Sequence, residues 1–368
     1  MKIILHTRMH DYGQMVEGVT VELDAAAPAL KPEDFSCTGC FGDLSAVQPI
    51  SGVKTVECDG NSVHLATDPF LYRCDFALEC TSAALPLRIT KENAQEVQLF
   101  HEEMFRPVVE NGVRYRIYVP DCTGPRPLVL FLHGGGGSGE DNLLQLTDTV
   151  GAIKLAERVP DMYVLAPQAP SGGVSMEEAF LKMRAKADPF KVVIGADPDN
   201  DKNDRGWNRE YLGRVCDVIR RMIAEGKVDP HRVYAIGMSM GGFGTLKVVS
   251  IAPDLFAACA PICPSMNGES YPILENFPDV PAYISTAYID HQTGRHAYLL
   301  RAVQKLWERG RRDVRLTLFT PEELAAYGIG ITPGLSASQL YAENHNSWIL
   351  VMHNEYGILD WMFSHRKP

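Results

Sequence analysis

The sequence predicts an α/β protein, a doubly wound and mostly parallel sheet with helices on both faces, preceded by a small β-sandwich. Three observations carry this. From about residue 97 onward, short continuous apolar runs alternate with helical patterns. Before that point the chain reads as period-two strands separated by Gly, Pro, Asp and Asn. With 368 residues, the chain exceeds one ordinary core and suits one large domain plus a smaller one. The division is placed at residues 1–95 and 96–368.

In the first segment Gly18 to Leu23 alternates, as do Val53 to Glu57 and Ser62 to Ala66. Short strands with frequent turns suit a sandwich. In the second, Tyr115 to Val119 is a strand candidate. Leu128 to Leu132 is apolar throughout, as a strand buried on both faces must be. Tyr163 to Ala166, Val233 to Ile236, Tyr283 to Thr286 and Val314 to Phe319 continue the series. Between them, Tyr211 to Glu225 and Tyr298 to Arg309 place their apolar residues on one helical face. Residues 171–206 are polar and Asp-rich, and too long for a simple connection; such a segment is expected to cap a pocket.

A formal net charge of -11 argues against a nucleic-acid partner. No run of about 18 apolar residues is present, which argues against a membrane span. The chain opens without the apolar core and cleavage site of a secretory signal, and its nine cysteines are scattered. Reduced thiols in a cytoplasm are the expectation. Cys37-Thr38-Gly39-Cys40 has metal-pair spacing, but no second pair completes four ligands, so no metal is expected. Cys259 and Cys263 read as small core residues. The sequence leaves homo-oligomerisation open.

The strongest chemical signal is Gly237-Met238-Ser239-Met240-Gly241-Gly242, between a strand candidate and a helical stretch. A nucleophile on so sharp a turn needs small neighbours two positions away, and Gly237 and Gly241 supply them. The turn lifts Ser239 above a helix N-terminus, whose partial positive charge favours developing negative charge. The second signal is His133-Gly134-Gly135-Gly136-Gly137-Ser138-Gly139, directly after the buried strand. Glycines let a backbone approach a ligand closely. A phosphate loop is disfavoured, because no Lys-Ser/Thr follows and no acidic residue stands at dinucleotide spacing. The loop instead suits an oxyanion, with Gly135 or Gly136 and the residue after the nucleophile, Met240, as N–H donors.

An activated serine needs a base and the base needs an orienting carboxylate. In chains with such an elbow the order is serine, acid, histidine. His345 falls after the last strand candidate, where a loop returns over the sheet, and is preferred to His353. His291 and His296 arrive too early. Asp290 follows the strand Ala282 to Thr286 and is preferred to Asp279 and Asp313, which precede strands. Trp207 and Trp348 are candidates to line an acyl or aromatic leaving-group site, against ordinary packing as the plainer reading. Met238 and Met240 are expected to pack under the elbow.

With these residues in place, the chain resembles the α/β-hydrolases related to polyhydroxybutyrate depolymerases, feruloyl esterases and prolyl-oligopeptidase-like esterases. The resemblance rests on Pro127 to Asp141, Ala166-Pro167-Gln168 with Gly206-Trp207, Val228 to Gly242, and His345-Asn346-Ser347-Trp348. It covers about residues 105–365. It implies an α/β-hydrolase domain and, by placement, an immunoglobulin-like domain in front. Two departures stand out. The acid region reads Thr286-Ala287-Tyr288-Ile289-Asp290, without the His-Gly that usually precedes the Asp. Residues 321–342 lengthen the connection before His345.

The expected chemistry is two-step acyl transfer through Ser239, His345 and Asp290, with no cofactor. The expected substrate is a small-molecule or carbohydrate-linked ester, of feruloyl or acetyl type. A serine peptidase of prolyl-oligopeptidase type uses the same triad. A non-catalytic binding or scaffold protein is the third reading, and an intact triad argues against it.

Overall fold

Leu132 pairs with Gly237, and this one register relation sets the site. It belongs to an eight-stranded sheet in a computed structural model that describes residues 1–38, 52–171, 206–266, 270–290 and 295–368. The described residues form two compact units, Met1–Glu103 and Met104–Pro368.

The first unit holds β1 (Lys2–His10), β2 (Gly13–Glu22), β3 (Phe35–Thr38), β4 (Val53–Asp59), β5 (Ser62–Leu71), β6 (Ala77–Cys80), β7 (Leu87–Ile89) and β8 (Glu96–Leu99). One sheet has the order β4-β5-β2-β1-β8 and the other β3-β6-β7. Alternate residues of both, among them Ile3, Leu5, Val19, Val63, Leu78 and Ile89, meet in one apolar cluster. That is the burial pattern of two sheets sharing a core. β8 lies parallel to β1, from Ile4 opposite Glu96 to Thr7 opposite Leu99. Residues 96–99, assigned from sequence to the second domain, therefore belong to the first sheet.

The second unit is an α/β-hydrolase fold. Its strands are β9 (Phe105–Glu110), β10 (Val113–Tyr118), β11 (Arg126–Leu132), β12 (Tyr163–Pro167), β13 (Val228–Met238), β14 (Ala258–Ile262), β15 (Ala282–Ala287) and β16 (Val314–Phe319). Their order is β16-β15-β14-β13-β11-β12-β10-β9, and β10 runs opposite to the other strands. Leu128 to Leu132 and the whole of β14 and β15 are buried, as strands covered on both faces require.

Two helices bear on the site. α1 (Arg209–Ala224) is capped by Asn208, whose side chain accepts from the Tyr211 N–H, and buries Leu212, Val215, Cys216, Ile219 and Met222. α2 (Met240–Ile251) is buried along most of its length, including Leu246, Val248 and Val249. A helix this apolar sits inside a domain rather than on its face. The chain steps from β11 to β12 on one side and to β13 on the other, so the strand order reverses between β11 and β13. The crevice beyond the C-terminal ends of such strands is where open α/β sheets place their ligands. Among the described residues, no helix is long and apolar enough to cross a membrane.

Candidate active site

The elbow follows from β13 running straight into α2. Ser239, between them, has φ 58° and ψ -118°, a left-handed conformation that costs energy for a residue with a side chain. The bend brings three backbones together. A Cβ on Gly237 would lie 2.6 Å from the Leu132 carbonyl oxygen, and one on Gly241 would lie 2.5 Å from the His133 carbonyl oxygen and closer still to that of Leu132. No side chain fits at either position. The strained residue is held by its own peptide groups. Its N–H donates to the Ile262 carbonyl at 3.0 Å, and its carbonyl accepts from the N–H groups of Phe243 and Ser265 at 3.1 and 3.0 Å.

Because Leu132 pairs with Gly237, the residues two positions on, Gly134 and Ser239, also meet. A Cβ on Gly134 would stand 3.7 Å from the Ser239 Cβ. The loop makes a 3-10 turn over Gly135–Gly137. Gly137 N–H donates to the Gly134 carbonyl and Ser138 N–H to that of Gly135. The N–H groups of Gly135 and Gly136, at the start of the turn, have no intrahelical acceptor. Met240 N–H, at the start of α2, is in the same position. A Cβ on Gly136 would lie 2.7 Å from Asp148 Oδ2 and nearer Oδ1, so a side chain there would have to displace the Asp148 carboxylate.

His133 secures the loop from inside. Its Nε2 accepts from the Ala169 N–H at 2.9 Å, so Nδ1 carries the proton and donates to the Gly134 carbonyl at 2.5 Å. Complete burial pushes the imidazole down to about 4, and it remains neutral. Trp207 packs on this ring with centroids 4.8 Å apart, and its Nε1–H donates to the His133 carbonyl at 3.1 Å.

The three sequence-derived triad candidates come together. His345 Nε2 lies 2.8 Å from Ser239 Oγ, and His345 Nδ1 lies 2.6 Å from Asp290 Oδ1. Asp290 is fully buried beyond the end of β15, and its Oδ2 accepts from the Thr286 hydroxyl at 3.1 Å. His345 ends the helix Ala337–Asn344, which opens on a capping box between Ser336 and Gln339. Asn344 Nδ2 donates to the Ile289 carbonyl at 3.1 Å, tying the histidine segment to the aspartate loop. The lengthened connection 321–342 thus holds most of the helix Ala337–Asn344 that leads into His345.

The other candidates divide. Trp348 stands edge-on to His345, with ring centroids 5.5 Å apart. Trp207, read from sequence as a substrate-lining residue, is instead 3% exposed and packed in the core between His133, Gly244 and Tyr211. Its one polar group is occupied by a backbone carbonyl, so it holds up the glycine loop. His353 packs on Tyr327, and His296 is buried with its imidazole pushed down by desolvation. Met238 is buried at the elbow, while the Met240 sulfur lies against Gly206. His291, Cys40 and the pocket-capping expectation for the 171–206 segment fall outside the described residues, apart from the segment's ends.

Two further groups stand beside Ser239, His345 and Asp290 that sequence reasoning assigned no part there. Cys263, with φ 35°, is fully buried, and its sulfur lies within 4.8 Å of ligand atoms of Asp290 and His345. Burial pushes its thiol well up, which keeps it protonated. Arg295 places Nη1 3.2 and 3.0 Å from the two ring nitrogens of His345. No local motif marks either residue. Arg295 lies at the start of a helix beyond β15, and only the fold carries it to the imidazole.

Comparison with known proteins agrees with this architecture. Residues 200–299 match the model of the prolyl oligopeptidase family. NocK of Nocardia uniformis subsp. tsuyamanensis, named as an esterase, is 31% identical over 155 residues, 40% of this chain and 37% of that protein. The poly(3-hydroxybutyrate) depolymerase of Ralstonia pickettii is 29% identical over 139 residues, 36% of this chain and 24% of the relative. The matches thus span about a third and a quarter of those relatives' lengths. The crystal structure of a thermostable esterase shares the fold across 100% of both chains, with a TM-score of 0.64 at 21% identity. The second unit thus has an α/β-hydrolase fold, and stretches of the chain are similar to the prolyl oligopeptidase family model and to proteins named as an esterase and a depolymerase.

Proposed function

We propose that the chain is a serine carboxylic-ester hydrolase. The observation that carries this reading is the relay from Ser239 Oγ to His345 Nε2 at 2.8 Å and from His345 Nδ1 to Asp290 Oδ1 at 2.6 Å. Such spacing allows proton transfer in both directions without rearrangement.

In the proposed reaction Ser239 Oγ attacks the ester carbonyl as His345 Nε2 takes its proton. Asp290 accepts the Nδ1–H bond and stabilises the imidazolium. The carbonyl oxygen becomes an oxyanion facing the N–H groups of Met240 and of Gly135 or Gly136. The tetrahedral intermediate collapses, the C–O bond to the alcohol breaks, and the Nε2 proton goes to the leaving oxygen. Water then repeats the cycle on the acyl-enzyme and releases the acid. The open N–H groups at two helix starts support the oxyanion assignment, because they cost no reorganisation when charge develops. Small or aryl esters of feruloyl or acetyl type are the proposed substrates, and the first unit is proposed to be an immunoglobulin-like domain.

The test is hydrolysis of p-nitrophenyl acetate, methyl ferulate and a peptide anilide, together with labelling by a fluorophosphonate probe. Ester turnover and labelling are expected in the wild type and absent in Ser239→Ala. Equal turnover by the alanine variant overturns the assignment. Faster cleavage of the anilide than of the esters makes the chain a peptidase.

A further inference from the structure

We infer that Arg295 binds a carboxylate on the alcohol part of the substrate, so that the preferred ester is that of a hydroxy acid with its own carboxyl group free. This rests on the ester-hydrolase reading above and names its substrate class.

Arg295 is 3% exposed, yet among the described residues no carboxylate lies within 4.0 Å of its guanidinium. Its polar neighbours are the two nitrogens of His345, at 3.2 and 3.0 Å. These are not ordinary hydrogen bonds. Each ring nitrogen already directs its in-plane bond elsewhere, Nδ1 to Asp290 and Nε2 to Ser239. An atom nearly equidistant from both nitrogens at this range cannot lie in the ring plane without overlapping the carbon between them. Nη1 therefore sits over the ring face. Asp290 is committed too, with one oxygen on His345 and the other on Thr286.

A guanidinium carries five N–H donors in a planar fork and no acceptor, and stays charged. Buried arginines are normally paired, because an uncompensated buried charge is expensive. Among the described residues, the fork lies against the imidazole of His345 without a carboxylate of its own. A substrate carboxylate is the group that matches it in charge and shape, and it binds a fork through two parallel bonds.

The position also selects the side of the substrate. His345 Nε2 gives its proton to the leaving oxygen, so the space around the imidazole belongs to the alcohol part. Arg295 Nη1 is no farther from Ser239 Oγ than the 3.0 and 2.8 Å links laid end to end. A carboxylate two carbons from the ester oxygen reaches it. On a protein of net charge -11, an anionic substrate is helped by a cation held at the centre of reaction.

The experiment compares 3-acetoxypropanoate with its N,N-dimethylamide, using p-nitrophenyl acetate as a neutral reference. In the wild type, kcat/KM for the carboxylate ester should exceed that for the amide by about 10- to 100-fold, the range for a charge-assisted hydrogen-bonded pair. Arg295→Gln should bring the ratio close to one, and Arg295→Lys should restore part of it. A wild-type ratio near one overturns the inference. So does a ratio that survives in Arg295→Gln while both rates fall together, since that residue would then only position His345. Should the glutamine variant not fold, wild-type enzyme decides: 3-hydroxypropanoate must inhibit p-nitrophenyl acetate hydrolysis at least about tenfold more strongly than its dimethylamide, and equal inhibition overturns the inference. Absence of Ser239-dependent turnover of p-nitrophenyl acetate is a separate failure, that of the ester-hydrolase reading itself.

Discussion

The carbonyl oxygen of Leu132 occupies the space that a side chain on Gly241 would need. A Cβ there would fall far inside van der Waals contact distance of it and 2.5 Å from the next carbonyl, that of His133. Both atoms are backbone of β11 and its loop, so neither can rotate away.

Gly241→Val should accordingly destabilise the second unit by about 3 kcal/mol or more, the upper range for overpacking where the neighbours cannot yield. Chemical denaturation of wild type and variant checks this. A variant of wild-type stability would mean that the elbow backbone is looser than its contacts indicate.

Asp290→Asn keeps the shape of the acid and removes its charge. It should lower kcat by about 1,000- to 10,000-fold with little change in KM, because the carboxylate acts on the imidazole and not on the bound ester. Steady-state kinetics on p-nitrophenyl acetate measure it. A loss below tenfold would point to another acid.

Gly136→Ala drives a methyl group into the Asp148 carboxylate, whose Oδ2 lies 2.7 Å from the added atom. Where the loop rather than the Asp148 side chain gives way, its N–H groups shift with it. A fall of about 100- to 1,000-fold in kcat is expected, the cost of losing one oxyanion donor. Fluorophosphonate labelling should persist more slowly. Unchanged kcat would remove this loop from the oxyanion assignment.

His133 makes stability depend on pH. In the fold its imidazole is held down to about 4 by burial, against 6.5 when free. Below pH 6.5 the unfolded chain therefore binds a proton that the folded chain refuses. Stability should fall as pH drops from about 6.5 toward 4, by about 3 kcal/mol over the whole window at 1.36 kcal/mol per unit. Urea denaturation at pH 7, 5.5 and 4.5 should show this decline, and His133→Gln should flatten it. An identical decline in the variant would assign the effect to other groups.

Much of this site is written locally. Gly237, Ser239 and Gly241 are spaced by the sterics of one bend, so five consecutive residues announce a strand-to-helix elbow. The apolar run Leu128 to Leu132 announces a strand covered on both faces, and the glycines after it announce close backbone approach. The order of Ser239, Asp290 and His345 along the chain is the serine, acid, histidine order expected of chains with such an elbow.

Other features needed the tertiary structure. Glu96–Leu99 alternates no more clearly than its neighbours, and only pairing with β1 assigns it to the first sheet. Trp207 reads equally well as a pocket wall or a core ring. The choice is made by His133, 74 residues away in sequence, whose carbonyl takes the indole N–H. Arg295 reads as a charged residue at a helix start until the fold lays it on His345, 50 residues further along. Sequence determined what obeys short-range sterics and periodicity. Packing decided which distant side chains share one small volume, because that depends on every strand between them being in register.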